Sequence, residues 1–331
     1  MTTKISRRDA ARSLAMTAGG LAFATPRQLL AQDYPTKPIK FVVPFPPGGT
    51  LDQIARRIQP ILQRELGQTI VIENKGGASG SIGTAAVAQA APDGYTVLMV
   101  FDTHAVNQTL IKNLAYDTLK DFDSIMKIGS APMILGAHPS TPYNSFADIV
   151  AAAKAKPGAV PYGTVGQGSL AHLAMSQIAN ELKVQWTHVP YKGGGPLTND
   201  AVAGHVPLAI SSIASLGPHV KAGKLRPIAL TSSSGHPHYP GVPTIASLGV
   251  PNFSASAWWG LIVPAKTPAT IIARLHKAFL ACFNDPGVMK SLVDEAGLVY
   301  ELSSPEQFTA FLKGEIDRWA KVVKDNNITG D

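Results

Sequence analysis

The chain has 331 residues, 45% of them hydrophobic, with 29 Lys and Arg against 22 Asp and Glu and a formal net charge of +7. That length and apolar content allow one large or two medium domains, each with its own core, and exclude a disordered chain. Thirty Gly and twenty-six Pro punctuate periodic segments without clustering, which indicates a turn-rich α/β protein and not low complexity.

Residues 1–31 read as an export signal. Lys4, Arg7, Arg8 and Arg12 precede the apolar, small-residue run Leu14–Ala24, and a cleavage point follows at Leu29-Leu30-Ala31. The run is too short to span a bilayer. Ser6-Arg7-Arg8 fits the twin-arginine route and Asp9-Ala10-Ala11 does not, so Sec and twin-arginine export both stay open. Without this segment the chain keeps 24 basic and 21 acidic side chains, a charge of +3 that gives no reason to expect nucleic acid or an anionic membrane as partner.

Ile39–Val43 is a short apolar strand. Thr50 opens a helix, with Gln53 as a capping-box partner and Ile54, Ile58, Ile61 and Leu62 as its apolar stripe. Ile70–Ile72 is a second strand, Ser81–Ala90 a helix, and Tyr95–Val100 a third strand ending at Asp102-Thr103-His104. The order then repeats, with strands at Val160–Tyr162, Trp186–Pro190 and Pro207–Ile210 and helices at Leu170–Leu182 and Leu197–Ala203. A short helix at Pro218–Ala222 and a strand at Leu225–Leu230 follow.

Two long extended stretches, Ile125–Ala137 and Ala255–Val263, are the expected crossings between the halves. Helices at Pro268–Phe283, Pro286–Ala296 and Pro305–Asn326 then return to the first half. The expected fold is α/β with two lobes, residues 32–130 plus 256–331 and residues 131–255. Each is a Rossmann-like parallel sheet, and a two-stranded hinge joins them.

In such sheets ligands lie beyond the C-terminal strand ends, where loops lead into helices. Four glycine-rich turns fall there: Pro44–Asp52, Asn74–Gly80, Gly163–Ser169 and Tyr191–Gly195. Helix N-termini carry unpaired N–H groups and roughly half a positive charge, so together they can hold a carboxylate without arginine. The spacing of Gly163-Thr164-Val165-Gly166-Gln167-Gly168 is not the dinucleotide fingerprint, and no Walker lysine is present.

Other chemistry finds little support. No serine sits in a Gly-x-Ser-x-Gly elbow. The nine histidines are scattered, and His236-x-His238 lies in a turn-rich stretch that reads as a solvated loop. Cys282 shares a helix face with Leu275 and Phe279 and reads as a buried apolar residue. Neither metal nor cofactor nor catalysis is expected. His172, in the first turn of a ligand-facing helix, either meets ligand or bonds a neighbouring loop. Thr50, Ser169 and Asp52 cap helices or contact ligand, and Asp200 anchors backbone or meets a ligand amine. Trp258 and Trp259 read as hinge packing.

Several ordered motifs resemble one family, the tripartite tricarboxylate transporter substrate-binding proteins, also called the Bug family. They are Tyr34-Pro35-x-Lys37-Pro38-Ile39 running into Val43-Pro44-Phe45-Pro46-Pro47-Gly48-Gly49-Thr50-x-Asp52; Glu73-Asn74-Lys75-x-Gly77-Ala78-x-Gly80; Pro92-Asp93-Gly94-Tyr95-Thr96; Tyr162-Gly163 through His172-Leu173; Tyr191-Lys192-Gly193; Gly241-Val242-Pro243-Thr244; and Trp258-x-Gly260-Leu261. The similarity runs from about Tyr34 to the C-terminus.

The resemblance implies a type II periplasmic-binding fold, located in the periplasm, that closes on a small organic carboxylate and hands it to integral-membrane permease subunits. A monomer is expected. It implies a pincer on one carboxylate from Phe45, Gly48, Gly49, Thr50 and Asp52 with Thr164, Gly166, Gly168 and Ser169, partly through water. Ala78, Ser79, Gly80, Thr103, His104, Tyr191, Gly193 and Asp200 would surround the rest of the ligand. Ser176-Gln177 and Pro207–Ser211 depart from the family pattern and bear on the ligand's distal end. The alternative on the same fold is a ligand sensor that feeds a membrane signalling protein.

Overall fold

A computed structural model describes residues 34–295, 297–325 and 328; the expected export segment lies outside them. Strand β1 (Ile39–Val43) lies parallel between β2 (Ile70–Asn74) and β3 (Thr96–Phe101). β1 and β3 are almost entirely buried, and they read accordingly as apolar runs, IKFVV and TVLMVF, because helices cover both faces of a parallel sheet. The covering helices leave the strand ends in turn: α1 (Thr50–Leu66), α2 (Ser81–Ala88) and α3 (Thr103–Leu110).

After the long strand β4 (Phe122–Ala137) and α4 (Phe146–Ala155), the pattern recurs. It runs β5 (Pro161–Thr164), α5 (Leu170–Leu182), β6 (Thr187–Pro190), α6 (Gly194–Ala203), β7 (Leu208–Ser212), α7 (Ile213–Lys221) and β8 (Arg226–Leu230). The chain closes with β9 (Ser256–Pro264), α8 (Ala269–Phe283), α9 (Pro286–Met289), β10 (Val299–Tyr300) and α10 (Pro305–Asp325).

The strands run in the order β2-β1-β3-β9-β4-β7-β5-β6, with β8 and β10 also paired to β4. β1–β3 and β5–β7 are the two parallel sets. The strands that join them, β4 and β9, are antiparallel to their neighbours, so the sheets are mixed where wholly parallel ones were expected. The reason is directional: a chain that leaves one lobe and later returns must run both ways through the junction.

The junction is tightly pinned. β4 pairs with β9 as far as Pro132 and with β7 and β8 from Met133 onward. Fully buried Thr231 stands at that switch. Its N–H donates to the Met133 carbonyl at 3.0 Å and its hydroxyl to the Ala255 carbonyl at 2.6 Å, while the Met133 and Ala255 N–H groups donate back to it. Trp258 and Trp259 are buried on β9; Trp258 packs edge-on to Phe308 and Phe311 of α10 and donates to Glu315. Phe122, Leu98, Val100 and Ile262 complete that core. Cys282 is buried beside the Ile58 carbonyl, and burial pushes its thiol up to about 12.

Several elements differ from expectation. α3 and α4 were not foreseen, although Ser145 and Asp148 form a reciprocal capping box at the start of α4. α7 starts at Ile213, ahead of Pro218, and the segment after α9 winds as a π-helix over Lys290–Glu295. Among the described residues no helix is long and apolar enough to cross a membrane.

Candidate functional site

The turn from β1 into α1 is shaped by one carboxylate. Asp52, 4% exposed, accepts from the Gly48 N–H at 3.0 Å, from Asn74 Nδ2 at 3.0 Å and from Arg56 Nε at 3.0 Å. Asn74 Nδ2 also donates to the Phe45 carbonyl. Burial alone would raise the Asp52 carboxyl, but the hydrogen bonds from Arg56, Gly48 and Asn74 outweigh it and hold it below its ordinary value. Asp52 therefore shapes the turn from beneath and has no need of ligand. Above it, Gly49 is the N-cap of α1 and no side chain caps the helix.

The turn from β5 into α5 is shaped by neutral groups. Ser169 caps α5 by accepting from the His172 N–H at 3.3 Å. His172 Nδ1 accepts from the Gly168 N–H at 3.1 Å and its ring stacks on His188, 3.9 Å between centroids and 7° between planes. His188 in turn lies 2.7 Å from Thr164 Oγ1 and 3.1 Å from Gln167 Oε1. Burial, with a smaller contribution from His172, drops His188 to about 3, so it is neutral. Thr164 and Ser169 are fully buried and His172 nearly so; they hold the loop in place with their side chains below it.

Across the cleft the turns pair in a definite way. A Cβ on Gly49 would stand 3.7 Å from the backbone nitrogens of both Gly194 and Gly195, at the uncapped N-terminus of α6. The Ala78–Gly80 turn instead meets the α5 turn, where Ser79 Oγ donates to the Gln167 carbonyl at 2.6 Å. Gly168 faces Leu110 of α3, whose Cδ1 would lie 2.2 Å from an added Cβ. Gly49 thus faces α6, while the Thr164–Ser169 turn meets Ser79 and Leu110.

Phe45 stands at the centre. Its ring is edge-on to Phe101 at 6.1 Å and is flanked by Gly80 and Gly193, where an added Cβ would come within 3.3 and 3.5 Å of it. Both glycines have positive φ, so a side chain there would be strained as well as crowded. Phe45 and Val165 are walls common to two spaces. One is an inner hollow of about 20 Å³, lined also by Gly49, Thr50, Gly194, Ser211 and Ser212. The other is a chamber of about 650 Å³ reaching Ala78–Gly80, Gly166, Gln167, Tyr191 and Lys192. Among the residues lining the two, Lys192 alone is charged.

Two expected site residues lie inside the first lobe instead. His104 is buried, stacked on Tyr116 and edge-on to Phe122 inside the first lobe, and burial lowers it to about 3. Thr103 is buried beside it in the first turn of α3. Asp200, on α6, pairs with His205 at 3.3 Å and interacts with Tyr191, a wall of the larger chamber, without lining either space itself. The strand end these residues follow contributes Asp102 instead. Fully buried, its carboxyl is pushed well above its ordinary value by burial, then by Glu315, while the Leu170 and Thr103 N–H groups pull it down. A side chain of the first lobe thus faces the N-terminus of α5. Gly194 belongs to the expected Tyr191–Gly195 turn and Ser211 to the stretch expected at the ligand's distal end, whereas Ser212 and His188 were not foreseen.

The chain is similar to proteins of one family. Residues 54–328 match the model of the tripartite tricarboxylate transporter family receptors. Protein BugT of Bordetella pertussis is 35% identical over 297 residues, covering 89% of this chain and 91% of that protein. Two solved structures superpose with a TM-score of 0.85 over 90% of this chain and all of theirs. They are the periplasmic binding protein BugD, 30% identical, and R. palustris Rpa4515 with adipate, 33% identical. With its two-lobed α/β fold and turns of this kind, the chain belongs to the Bug family of tripartite tricarboxylate transporter receptors.

Proposed function

We propose that this protein is a periplasmic receptor that closes its two lobes on a small organic carboxylate and delivers it to the integral-membrane permease subunits of a tripartite transporter. It acts as a monomer and performs no chemistry on its ligand. The lobes divide near the β4 switch at Pro132/Met133 and again near Ala255. The ligand lies between the turns Phe45–Thr50 and Ala78–Gly80 on one side and Thr164–Ser169 and Tyr191–Gly195 on the other.

The observation that carries this reading is the meeting of the uncapped N-termini of α1 and α6 across the cleft, with no cationic side chain in the inner wall. Such ends attract an anion, and a carboxylate group is small enough for the space. The adipate seated in a relative of the same fold supports the substrate class.

A thermal-shift screen over adipate, malate, citrate, benzoate and glutamate tests it. A carboxylate at 100 times its dissociation constant should stabilise by about 2.7 kcal/mol, a shift of a few degrees for a chain of this size. If neutral sugars raise the melting temperature and no carboxylate does, the reading fails. Uptake of the bound carboxylate by cells, lost on deleting either the receptor or the permease, tests delivery.

A further inference from the structure

Asp102 is a buried carboxyl that the binding site does not use. It follows β3 in the first lobe, is 1% exposed, and neither of its oxygens completes a hydrogen bond among the described residues. It faces the second lobe, where the Leu170 N–H, at the first position of α5, favours its charged form. Ser169 already accepts from the His172 N–H, so the N-terminus of α5 is met twice, once from its own loop and once from the opposite lobe. The second of these contacts exists only while the lobes are together.

The surroundings do not suit an anion. Among the described residues Glu315 of α10 is the one charged side chain acting on Asp102, and it repels. Glu315 is itself held by the indole N–H groups of Trp258 and Trp319, at 3.1 and 2.9 Å, and by Arg318 at 3.8 Å. The histidines of the two helices that meet at Asp102 are engaged elsewhere: His104 of α3 stacks with Tyr116 and Phe122, and His172 of α5 with His188 and Gly168. A buried carboxyl with no cation beside it and a like charge nearby favours its neutral form, and burial raises Asp102 well above 3.8. With the lobes apart, water would reach the group and restore its ordinary, ionised state.

We propose that Asp102 is a latch between the lobes: as they close, its carboxyl group enters the N-terminus of α5 and takes up one proton from solvent. The proposal rests on the carboxylate-receptor reading and goes beyond it by coupling capture to proton uptake. Asp102 lines neither space, so it acts on the ligand only by positioning the closed form. One oxygen carries the proton and the other is left for the Leu170 N–H. Between 3.8 and the raised value the closed form binds more protons than the open one, so ligand affinity falls as pH rises through that window, by up to about tenfold per pH unit.

Calorimetry at about pH 6, in two buffers of different ionisation enthalpy, counts the protons exchanged on binding whichever of adipate, malate, citrate, benzoate or glutamate binds the wild type. The wild type should take up close to one proton more than Asp102→Asn, which keeps the side chain's shape and cannot titrate. From about pH 5 to 7 wild-type affinity should also fall with pH more steeply than the variant's, by up to about tenfold per unit. The difference cancels titration of the ligand and of the histidines. Equal proton counts with parallel pH profiles would overturn the latch and leave the receptor reading standing. If Asp102→Asn does not fold, Asp102→Ser makes the same comparison. If no carboxylate in the panel binds the wild type, the receptor reading falls first and the latch with it.

Discussion

The turns Phe45–Asp52 and Thr164–Ser169 occupy equivalent places, each between a parallel strand and its helix, yet different chemistry fastens them. The first is tied by a charged knot in which Asp52 gathers Gly48, Asn74 and Arg56. The second is tied by a neutral stack in which His172 and His188 hold Gly168, Gln167 and Thr164. The helix ends differ accordingly. α1 is left uncapped and open to the hollow, whereas α5 is capped by Ser169 and faced by Asp102. Equivalent position therefore does not mean equivalent construction: the first turn leaves a helix end without a side-chain cap, and the second is capped and walls the larger chamber.

The largest test removes the charged knot. Asp52→Ala takes the acceptor from a backbone N–H, an amide and a guanidinium. Because Arg56 is half exposed its share is small, and the whole should cost about 2–3 kcal/mol in urea unfolding. Asp52→Asn should cost less, since the amide still accepts from Gly48. Carboxylate affinity should fall with both, because Phe45 and Gly49 lose their support. A wild-type unfolding midpoint in Asp52→Ala would show that the turn holds its shape without the knot.

The same contrast explains how much could be read in advance. The four turns, and the strand and helix order around them, rest on local signals: apolar runs, caps and glycines. Which turn faces which does not. Gly49 meets Gly194, and Ser79 meets Gln167, only after β4 and β9 have folded the lobes over each other. The resemblance implied His104 beside the ligand, but an unforeseen helix, α3, turns it inward onto Tyr116 and Phe122. His188 sits between Thr187 and Val189 like any strand residue. Its role comes from its register opposite Tyr162 and the stack with His172, which no local pattern encodes.

A smaller effect separates the two fastenings by pH. His188 titrates at about 3 in the folded chain against an ordinary value of 6.5, so between those values the unfolded chain binds the extra proton. Stability is lost as pH falls from 6.5 towards 3. Asp52, held below its ordinary 3.8, contributes stability that is lost only as pH falls below that value. Between pH 6.5 and 4 the neutral stack is thus strained while the charged knot is intact. His104, lowered to about 3, adds to the wild-type slope from the first lobe, and Asp102, raised, acts in the opposite sense. Replacing His188→Gln should flatten the stability profile in that window by up to about 1.4 kcal/mol per pH unit. An unchanged slope in the variant would mean that His188 is not buried neutral and that the second turn is fastened otherwise.

The smallest effect concerns the contact by which the second turn meets the first lobe. Ser79 has φ of 53°, and the Asn107 side chain holds its carbonyl at 3.1 Å, so its hydroxyl is presented to the Gln167 carbonyl before the lobes meet. On the proposed reading, an open form would exchange this bond for one to water. Its net worth is therefore about 1 kcal/mol, or roughly fivefold in affinity, for a neutral hydrogen bond. Ser79→Ala should weaken carboxylate binding by that factor through faster release, leaving the association rate and the unliganded melting temperature near wild type. Unchanged affinity in Ser79→Ala would show that this contact takes no part in holding the lobes together.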